Sequence, residues 1–357
     1  MREILADVER WMSEGRLIAI ATVVQTWGSA PRGVGSKMAI ALADGDIPLI
    51  SGSVSGGCVE GDTIEAALQV LASGAPQLLH FGVADETAWE VGLACGGTID
   101  IFVEPLSPAL LHFWRHVAAK AHAAVVVTVI CGDANLLGKK LMLAESGAAF
   151  GDDLDSEMAG LVNFVLPHMK AALHAGQSVR HAYQPPTGQV ELEIFIEAIL
   201  PVPQLICIGG GHMAVALTQL AKVVGYHTLV IDPRRAFANP TRFAHVDQLL
   251  VQWPQDVLTE DLLSRNTAVA VLTHDPKIDD KALAPTLQSD AFYIGALGSK
   301  KTHAQRLARL KEAGFADAQL ARIHAPIGLE IGAQMPEEIA LAIMAEIVAA
   351  RHLKTNY

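Results

Sequence analysis

A glycine-rich turn between two predicted strands is the sequence feature that most restricts the fold of this chain. The apolar segment Gln204–Ile208 predicts a buried strand, residues 209–214 read Gly-Gly-Gly-His-Met-Ala, and a helical pattern continues to Val224. A second predicted strand, 226–231, ends at Asp232. A strand, a G-x-G-x-x-A turn, a helix and an acidic residue about 20 positions on together predict a Rossmann-type βαβ unit.

This turn predicts a nucleotide or phosphate site. Gly209 and Gly211 would let the backbone approach a phosphate, and the helix N-terminus offers free N–H donors and its positive dipole end. His212 would face the ligand, although a histidine that merely fills the first helical position is the alternative. Asp232 would bind ribose hydroxyls, and Arg234 and Arg235 could accept an extra phosphate, so NAD, NADP and another phosphorylated ligand all stay open.

Two further predicted strands of this region, 268–272 and 291–294, end in polar residues. Open parallel sheets bind ligands at the carboxyl ends of their strands, so these residues should reach the same crevice. The candidates are His274 and Asp275 after one strand, and Gly298, Ser299 and Lys300 after the other. The second group predicts another anion site, or alternatively an ordinary loop with solvated lysines.

The first 200 residues contain pairs of similar segments in the same order. Residues 18–24 resemble 125–130, residues 35–41 resemble 138–144, and residues 99–104 resemble 192–197. We therefore expect an internally duplicated N-terminal α/β domain, 1–200, with copies at about 1–105 and 106–200. Prolines near position 200 mark the boundary to a Rossmann-like parallel-sheet domain, 201–357.

Several residues of the first copy, an arginine, two cysteines and the glycines beside them, have no counterpart in the second copy. A duplicated fold does not need them, which makes them candidates for function: Arg32, Gly56, Gly57, Cys58, Cys95, Gly96 and Gly97. Cys58 precedes a helical pattern, and a helix N-terminus favours the reactive thiolate. The alternatives are buried, unreactive cysteines and, for Arg32, an ordinary surface arginine.

Composition limits the class of protein. The net charge of −12 argues against a general nucleic-acid binder, because phosphate backbones require basic surfaces. No apolar run approaches the roughly 20 residues of a membrane span. The four cysteines form no C-x-x-C pair, so we expect a cytoplasmic protein without a disulfide framework or zinc ribbon.

Taken together, these motifs resemble the xanthine dehydrogenase accessory factor family, also called the XdhC/CoxI type, along nearly the whole chain. The segments that carry the resemblance are 28–33, 52–60, 95–97, 209–213, 232–234, 293–299, 326–332 and 336–340. Gly210 departs from the alanine that the family pattern leads us to expect.

The resemblance implies a protein that binds molybdenum cofactor, supports its sulfuration and delivers it to a xanthine dehydrogenase-type molybdenum hydroxylase. The implied partners are the apo-enzyme and a cysteine desulfurase, in a homodimer that acts more as a chaperone than as a catalyst. Cys58 would then contact the metal or relay sulfur, with Cys95 as the second thiol. The alternatives are a NAD(P)-dependent oxidoreductase, with His212 or His274 as its acid, and a scaffold that binds no ligand.

Overall fold

The computed structural model describes residues 1–28, 32–43, 47–82, 97–120, 123–147, 149–151, 159–184 and 191–353. The chain divides into two compact units, Met1–Pro201 and Val202–Tyr357. The first unit contains antiparallel sheets and the second a parallel sheet. The predicted α/β fold class with a C-terminal Rossmann-like sheet is confirmed.

The first unit repeats one order of elements twice, namely helix, three strands, helix, two strands. The first series is α1 (Arg2–Ser13), β1 (Ile18–Trp27), β2 (Lys37–Leu42), β3 (Pro48–Gly52), α2 (Glu60–Ser73), β4 (Gln77–Phe81) and β5 (Thr98–Pro105). The second series is α3 (Pro108–Lys120), β6 (Ala124–Cys131), β7 (Lys140–Ala144), β8 (Ala149–Gly151), α4 (Ala159–Ala175), β9 (Val179–Tyr183) and β10 (Leu192–Ile199).

The two series also share a sheet topology. Within the described residues each forms a five-stranded antiparallel sheet, ordered β3-β2-β1-β5-β4 and β8-β7-β6-β10-β9. The three pairs of similar sequence segments therefore fall on β1 and β6, β2 and β7, and β5 and β10. The register repeats as well, since Thr22 pairs with Lys37 and Thr128 pairs with Lys140.

Alternating apolar side chains let each sheet bury both of its faces. Along β1, Ile18 and Ile20 point into a core formed with α1 and α3, whereas Ala19 and Ala21 contact the core under α2. In the second sheet Val125 and its odd-numbered neighbours pack against α4. Four side chains that occupy equivalent strands meet between the sheets: Val24, Phe102, Ile130 and Phe195.

Two buried ion pairs connect the sheets reciprocally. Lys37 on β2 lies 2.9 Å from Glu197 on β10, and Lys140 on β7 lies 2.8 Å from Glu104 on β5. Each ammonium also donates to the threonine opposite it on the neighbouring strand, at 3.1 Å for Lys37 and 2.8 Å for Lys140. A buried charge needs such a partner, so the pairs fix how the two sheets face each other.

The second unit alternates strands and helices. Its elements are β11 (Gln204–Ile208), α5 (His212–Val223), β12 (His227–Ile231), β13 (Gln248–Leu250), α6 (Pro254–Val257), β14 (Thr267–Val271), α7 (Pro276–Leu287), β15 (Tyr293–Ala296), α8 (Lys300–Glu312), α9 (Asp317–Leu320), β16 (Ile323–His324) and α10 (Pro336–Leu353). Within the described part of this unit the parallel sheet has the order β13-β12-β11-β14-β15-β16. This is the strand order of dinucleotide-binding Rossmann folds.

Both faces of this sheet are covered, as expected for parallel strands. Ile206 and Ile208 point towards the core that contains residues of α7 and α8, whereas Leu205 and Cys207 point towards α5 and α10. Burial raises the pKa of the Cys207 thiol to about 12, so this cysteine is an unreactive core residue. Among the helices of the described residues, none is both long and apolar enough to cross a membrane.

Candidate ligand-binding sites

The first candidate site is the loop of residues 53–59 between β3 and α2, which we call the thiol loop. It lies at the end of the first sheet where β1, β3 and β4 finish and β2 and β5 begin, as the strand pairings require. Cys58 is exposed and stands two residues before α2 begins. Cys95 and Gly96 lie outside the described residues, and Gly97 is a buried residue directly before β5.

Glu60, the first residue of α2, organises the thiol loop. Its Oε1 accepts from the Ser53 hydroxyl at 2.7 Å and from the N–H groups of Ser55 and Gly56 at 2.9 Å each. Its Oε2 accepts from the Ser55 hydroxyl and, at 2.7 Å, from the N–H of Gly57. The loop is thus wrapped around a carboxylate of its own chain.

Two consecutive glycines make this wrapping possible. Gly56 and Gly57 have φ values of +78° and +123°, which side-chain-bearing residues rarely adopt. Successive residues of this kind turn their N–H groups into one concave anion site. The two glycines predicted to bind a cofactor therefore donate, in this structure, to Glu60.

The same contacts keep Glu60 ionised. Burial alone would raise its pKa, but the hydrogen bonds from Ser55, Ser53 and the loop amides outweigh burial and lower the pKa to about 2. The carboxylate is therefore ionised at physiological pH and can accept all of these hydrogen bonds.

Arg32 joins this region from the segment before β2. Its Nε donates to the Ser53 carbonyl at 3.2 Å, and its Nη2 lies 3.2 Å from Glu3. The side chain is 35% exposed. The structure thus brings Arg32 to the thiol loop, where the exposed Cys58 thiol lies in the same region as the ion pair between Arg32 and Glu3.

The second candidate site is the carboxyl edge of the parallel sheet, around the turn 209–211, which we call the glycine turn. Gly209 has φ +108°, and a Cβ there would lie 2.5 Å from Thr273 Cγ2. A Cβ on Gly210 would lie 2.6 Å from the Phe237 carbonyl oxygen, so the alanine expected at this position would require the backbone to move. Gly211 caps α5, and a Cβ there would meet no atom within 4 Å.

Asp232 is tied to the glycine turn and to Arg234. One carboxylate oxygen accepts from the Arg234 N–H and Nε, both at 2.9 Å. The other accepts from the Gly210 N–H and Arg234 Nη2, both at 2.8 Å. A carboxylate offers about four lone-pair positions, so those of Asp232 are filled.

This arrangement changes the role predicted for Asp232. The residue is fully buried, and its hydrogen bonds to Arg234 and Gly210 outweigh burial and lower the pKa of its carboxyl. Arg234 instead faces outward, 35% exposed, with its guanidinium carbon 4.1 Å from the Phe237 ring centre. The polar group presented here is cationic, which suits an anion better than a ribose diol.

The other predicted residues of this edge hold loops or face solvent. His274 is exposed and has φ +63°, a strained conformation for a histidine, whereas Asp275 caps α7 by accepting from the Lys277 N–H at 3.0 Å. Ser299 caps α8, and Lys300 beside it is exposed. His212 is 69% exposed and lies 3.2 Å from Glu337 on α10.

Neither site resembles a protein metal centre. Among the described residues no group of three or more histidine, cysteine, aspartate or glutamate side chains could hold a metal ion.

Comparison with known proteins decides the family. Residues 11–82 match the model of the XdhC and CoxI family, and residues 205–347 match that of the XdhC Rossmann domain. The chain belongs to the XdhC and CoxI family. The resemblance that the sequence motifs indicated is confirmed.

Relatives extend this XdhC/CoxI assignment over nearly the whole chain. A probable xanthine dehydrogenase subunit from Bacillus subtilis is 29% identical over 93% of this chain and 92% of its own. A molybdenum cofactor insertion chaperone of Escherichia coli, PaoD, is 27% identical over 98% and 88%. A crystal structure of a xanthine dehydrogenase from Bacillus halodurans is 23% identical and has a similar fold, with a TM-score of 0.73 over 99% of this chain and 96% of that one.

Sequence reasoning missed two residues of this XdhC/CoxI chain that hold loops at or near the candidate sites. Glu60 ends the motif 52–60 but had no predicted role, and Arg306, a buried residue of α8 near Gly298, was not among the candidates. A glutamate directly after Ser-Gly-Gly-Cys-Val is a usable signal, since acidic residues are favoured in the first turn of a helix. Arg306 gave no signal, because an arginine within a helical pattern is normally a solvent-exposed residue.

Proposed function

We propose that this XdhC/CoxI protein binds molybdenum cofactor and takes part in the maturation of a xanthine dehydrogenase-type molybdenum hydroxylase. The observation that supports this most is family membership together with an insertion chaperone that aligns over nearly the whole chain. The cofactor is cargo here, and the protein acts as a carrier. In the finer form of the proposal it works as a cytoplasmic homodimer beside a cysteine desulfurase.

The residues of the parallel sheet fit an anionic cargo. Molybdenum cofactor carries a phosphate, and the N-terminus of α5 at Gly211 has open space and free N–H donors. Arg234 is held rigidly by Asp232 with part of its guanidinium exposed. We assign the phosphate to this edge, with Gly209, His212, His274, Gly298, Ser299 and Lys300 around it.

The thiol loop suits the metal of such a cargo. Molybdenum cofactor binds its metal through sulfur, and a soft metal favours thiolate contacts. Cys58 is exposed on a loop that Glu60 holds in place, beside Arg32. We assign Cys58 the contact with the metal, or a relay of sulfur to it.

A NAD(P)-dependent oxidoreductase is the competing assignment. It requires a free acidic residue at the end of β12 for the ribose hydroxyls of NAD, but the acceptor positions of Asp232 are filled. Of the two nicotinamide cofactors, only NADP, which carries an additional phosphate, would contact Arg234 directly. Pterin, metal and nicotinamide analysis of the protein isolated from a cofactor-producing host separates the two: retained nicotinamide without pterin would refute the carrier.

The role of Cys58 is tested with Cys58→Ser and the matched control Cys131→Ser, because both cysteines are exposed. We expect Cys58→Ser to reduce activation of the apo-hydroxylase at least about tenfold, since serine cannot replace a soft thiolate ligand. The control should remain close to wild type. Unchanged cofactor retention and unchanged sulfuration in Cys58→Ser would remove this residue from the function.

Arg234 is tested in the same way. Arg234→Ala removes a charged donor and should weaken cofactor retention about tenfold or more, because charge-assisted hydrogen bonds are the strong ones. The exposed neighbour Arg235 provides the control Arg235→Ala. Equal retention by both variants would show that the cofactor does not use Arg234.

A further inference from the structure

The turn between β15 and α8 places cations where a helix normally places anions. Ser299 caps α8, the next residues are Lys300 and Lys301, and the first turn contains no acidic residue. Cations at a helix N-terminus oppose the helix dipole. The N–H groups of Lys300 and Lys301 also have no acceptor inside the helix, since the first turn never does. This helix end is therefore less stable without an anion than with one.

A buried guanidinium lies directly beneath this turn. Arg306 is two turns further along α8 and only 1% exposed. Helical side chains lean towards the N-terminus of their helix, so Arg306 reaches back to the turn. Its Nη2 donates to the Leu297 carbonyl at 2.8 Å and lies 3.8 Å from where a Cβ on Gly298 would stand.

Most of the donors of Arg306 have no acceptor in the described structure. Nη2 is used by Leu297 and by Asp279, whose Oδ2 is 3.2 Å away. Nε and Nη1 are buried without a hydrogen-bond partner. The oxygens of Asp279 accept from the Thr273 hydroxyl and from Arg306 Nη2, and neither accepts from Nε or Nη1. Buried donors without an acceptor cost free energy, so additional oxygen acceptors would stabilise this guanidinium.

The turn above the guanidinium requires glycine at position 298. Its φ of +141° disfavours any other residue, and a Cβ there would lie 3.2 Å from Thr302 Cγ2. The Ser299 hydroxyl stands at the rim, 3.0 Å from the Thr302 hydroxyl. Backbone, hydroxyl and cationic groups thus lie close together at this turn.

We propose that residues 297–302, with Arg306 beneath them, bind a phosphate group as a tetrahedral oxyanion. We call this site the α8 seat. The helix N–H groups, Lys300 and Lys301 contact its outer oxygens, and Arg306 stabilises the inner side of the turn. This site refines the proposed function, which assigns the phosphate of the cargo to the same edge of the sheet. The identification of its natural ligand as that phosphate rests on the proposed function, whereas the binding of free phosphate does not.

The test uses the full chain and inorganic phosphate at constant ionic strength, followed by calorimetric titration and by the thermal midpoint. We expect Lys300→Ala/Lys301→Ala to weaken phosphate binding about tenfold, because it removes two charged contacts. Arg306→Lys should weaken it by a similar factor, since an ammonium does not reproduce the planar fork. Lys311→Ala, at the far end of the same helix, is the matched control and should bind like wild type.

The glycine turn is a second place where phosphate could bind, so the titration is repeated in Gly211→Asp. This variant puts a carboxylate into the open space at α5 and should leave the α8 seat intact. Binding that persists in Gly211→Asp and is lost in the double lysine variant supports the proposal. Binding lost in Gly211→Asp but retained in the double lysine variant overturns it, as does no phosphate binding by the wild type.

Failure of this proposal and failure of the proposed function are distinguishable. Phosphate binding at α8 by a protein that never retains molybdenum cofactor would leave the seat intact and refute the carrier. Cofactor retention that is unaffected by the lysine substitutions, with no phosphate binding at α8, would refute the α8 seat and leave the proposed carrier function intact.

Discussion

The two halves of the N-terminal unit can be compared almost strand by strand. Both sheets have the same strand order, and both contribute a lysine, a threonine and a glutamate to reciprocal buried ion pairs. The first half adds the Ser-Gly-Gly-Cys loop around Glu60, whereas residues 151–157 of the second half read Gly-Asp-Asp-Leu-Asp-Ser-Glu. The shared residues therefore build the fold, and the unshared ones are the candidates for function.

The largest expected effect tests whether the halves are energetically equivalent. Lys37→Met and Lys140→Met each leave a buried glutamate unpaired, which should cost about 3–5 kcal/mol of unfolding free energy. Because the pairs are reciprocal, the two losses should agree within about 1 kcal/mol, as measured by urea unfolding.

The control replaces a whole pair. Lys37→Met/Glu197→Leu removes both charges and should recover most of the lost stability, since well-packed apolar residues often substitute for a buried ion pair. A large loss for Lys37→Met with almost none for Lys140→Met would show that the second pair does not hold the sheets together.

A smaller effect is expected from the feature unique to the first half. Glu60→Gln removes charge-assisted hydrogen bonds from the thiol loop and should cost about 1–3 kcal/mol. The matched control is Asp62→Asn, an exposed acid in the same helical turn, which should change stability by less than about 0.5 kcal/mol. Alkylation of Cys58 should change rate in Glu60→Gln and stay unchanged in the control.

The pH dependence of this effect has a definite sign. The pKa of Glu60 is about 2 in the folded protein against an ordinary value of 4.5, so the folded state favours the ionised form. The stability that Glu60 contributes is complete above pH 4.5 and disappears as the pH falls towards 2. Wild type and Glu60→Gln should therefore converge in acid, and a difference that grows on acidification would contradict the assignment.

The smallest expected effect concerns a difference between the halves that lies outside the thiol loop and the glycine turn. By register, Arg180 on β9 corresponds to Leu78 on β4. Arg180 contacts Asp100, Glu193 and, at 2.9 Å, Gln25 of the other half. Arg180→Leu should cost about 1 kcal/mol or less, with a difference that shrinks in 1 M salt because partly exposed charges are screened. A loss as large as that of Lys37→Met would place this cluster among the contacts that build the fold.

The sequence predicted the architecture well because its signals are periodic or repeated. The strand, glycine turn, helix and Asp232 identified the parallel sheet, and the paired segments fell on equivalent strands of the first unit. Hydrophobic alternation and the need for glycine are local properties of a chain, so a single sequence displays them.

The chemistry of the sites was less predictable, because it depends on which donor finds which acceptor. The sequence alone does not show that Gly56 and Gly57 donate to Glu60, or that Arg234 fills acceptor positions of Asp232. Both cases follow one rule: a buried polar group takes the nearest partner that the fold supplies. Motif spacing indicated where ligands could bind but not which donors remain free for them.

The bond between Gly210 and Asp232 also bears on how quickly a cargo could be exchanged. The turn is hydrogen-bonded to Asp232, which Arg234 also holds, so a cargo that binds here as proposed would meet a turn that is already ordered. Loading then costs little ordering entropy, and unloading involves no local refolding. Residence time would follow from the direct contacts alone, so a recipient enzyme could take over the cargo simply by offering tighter ones.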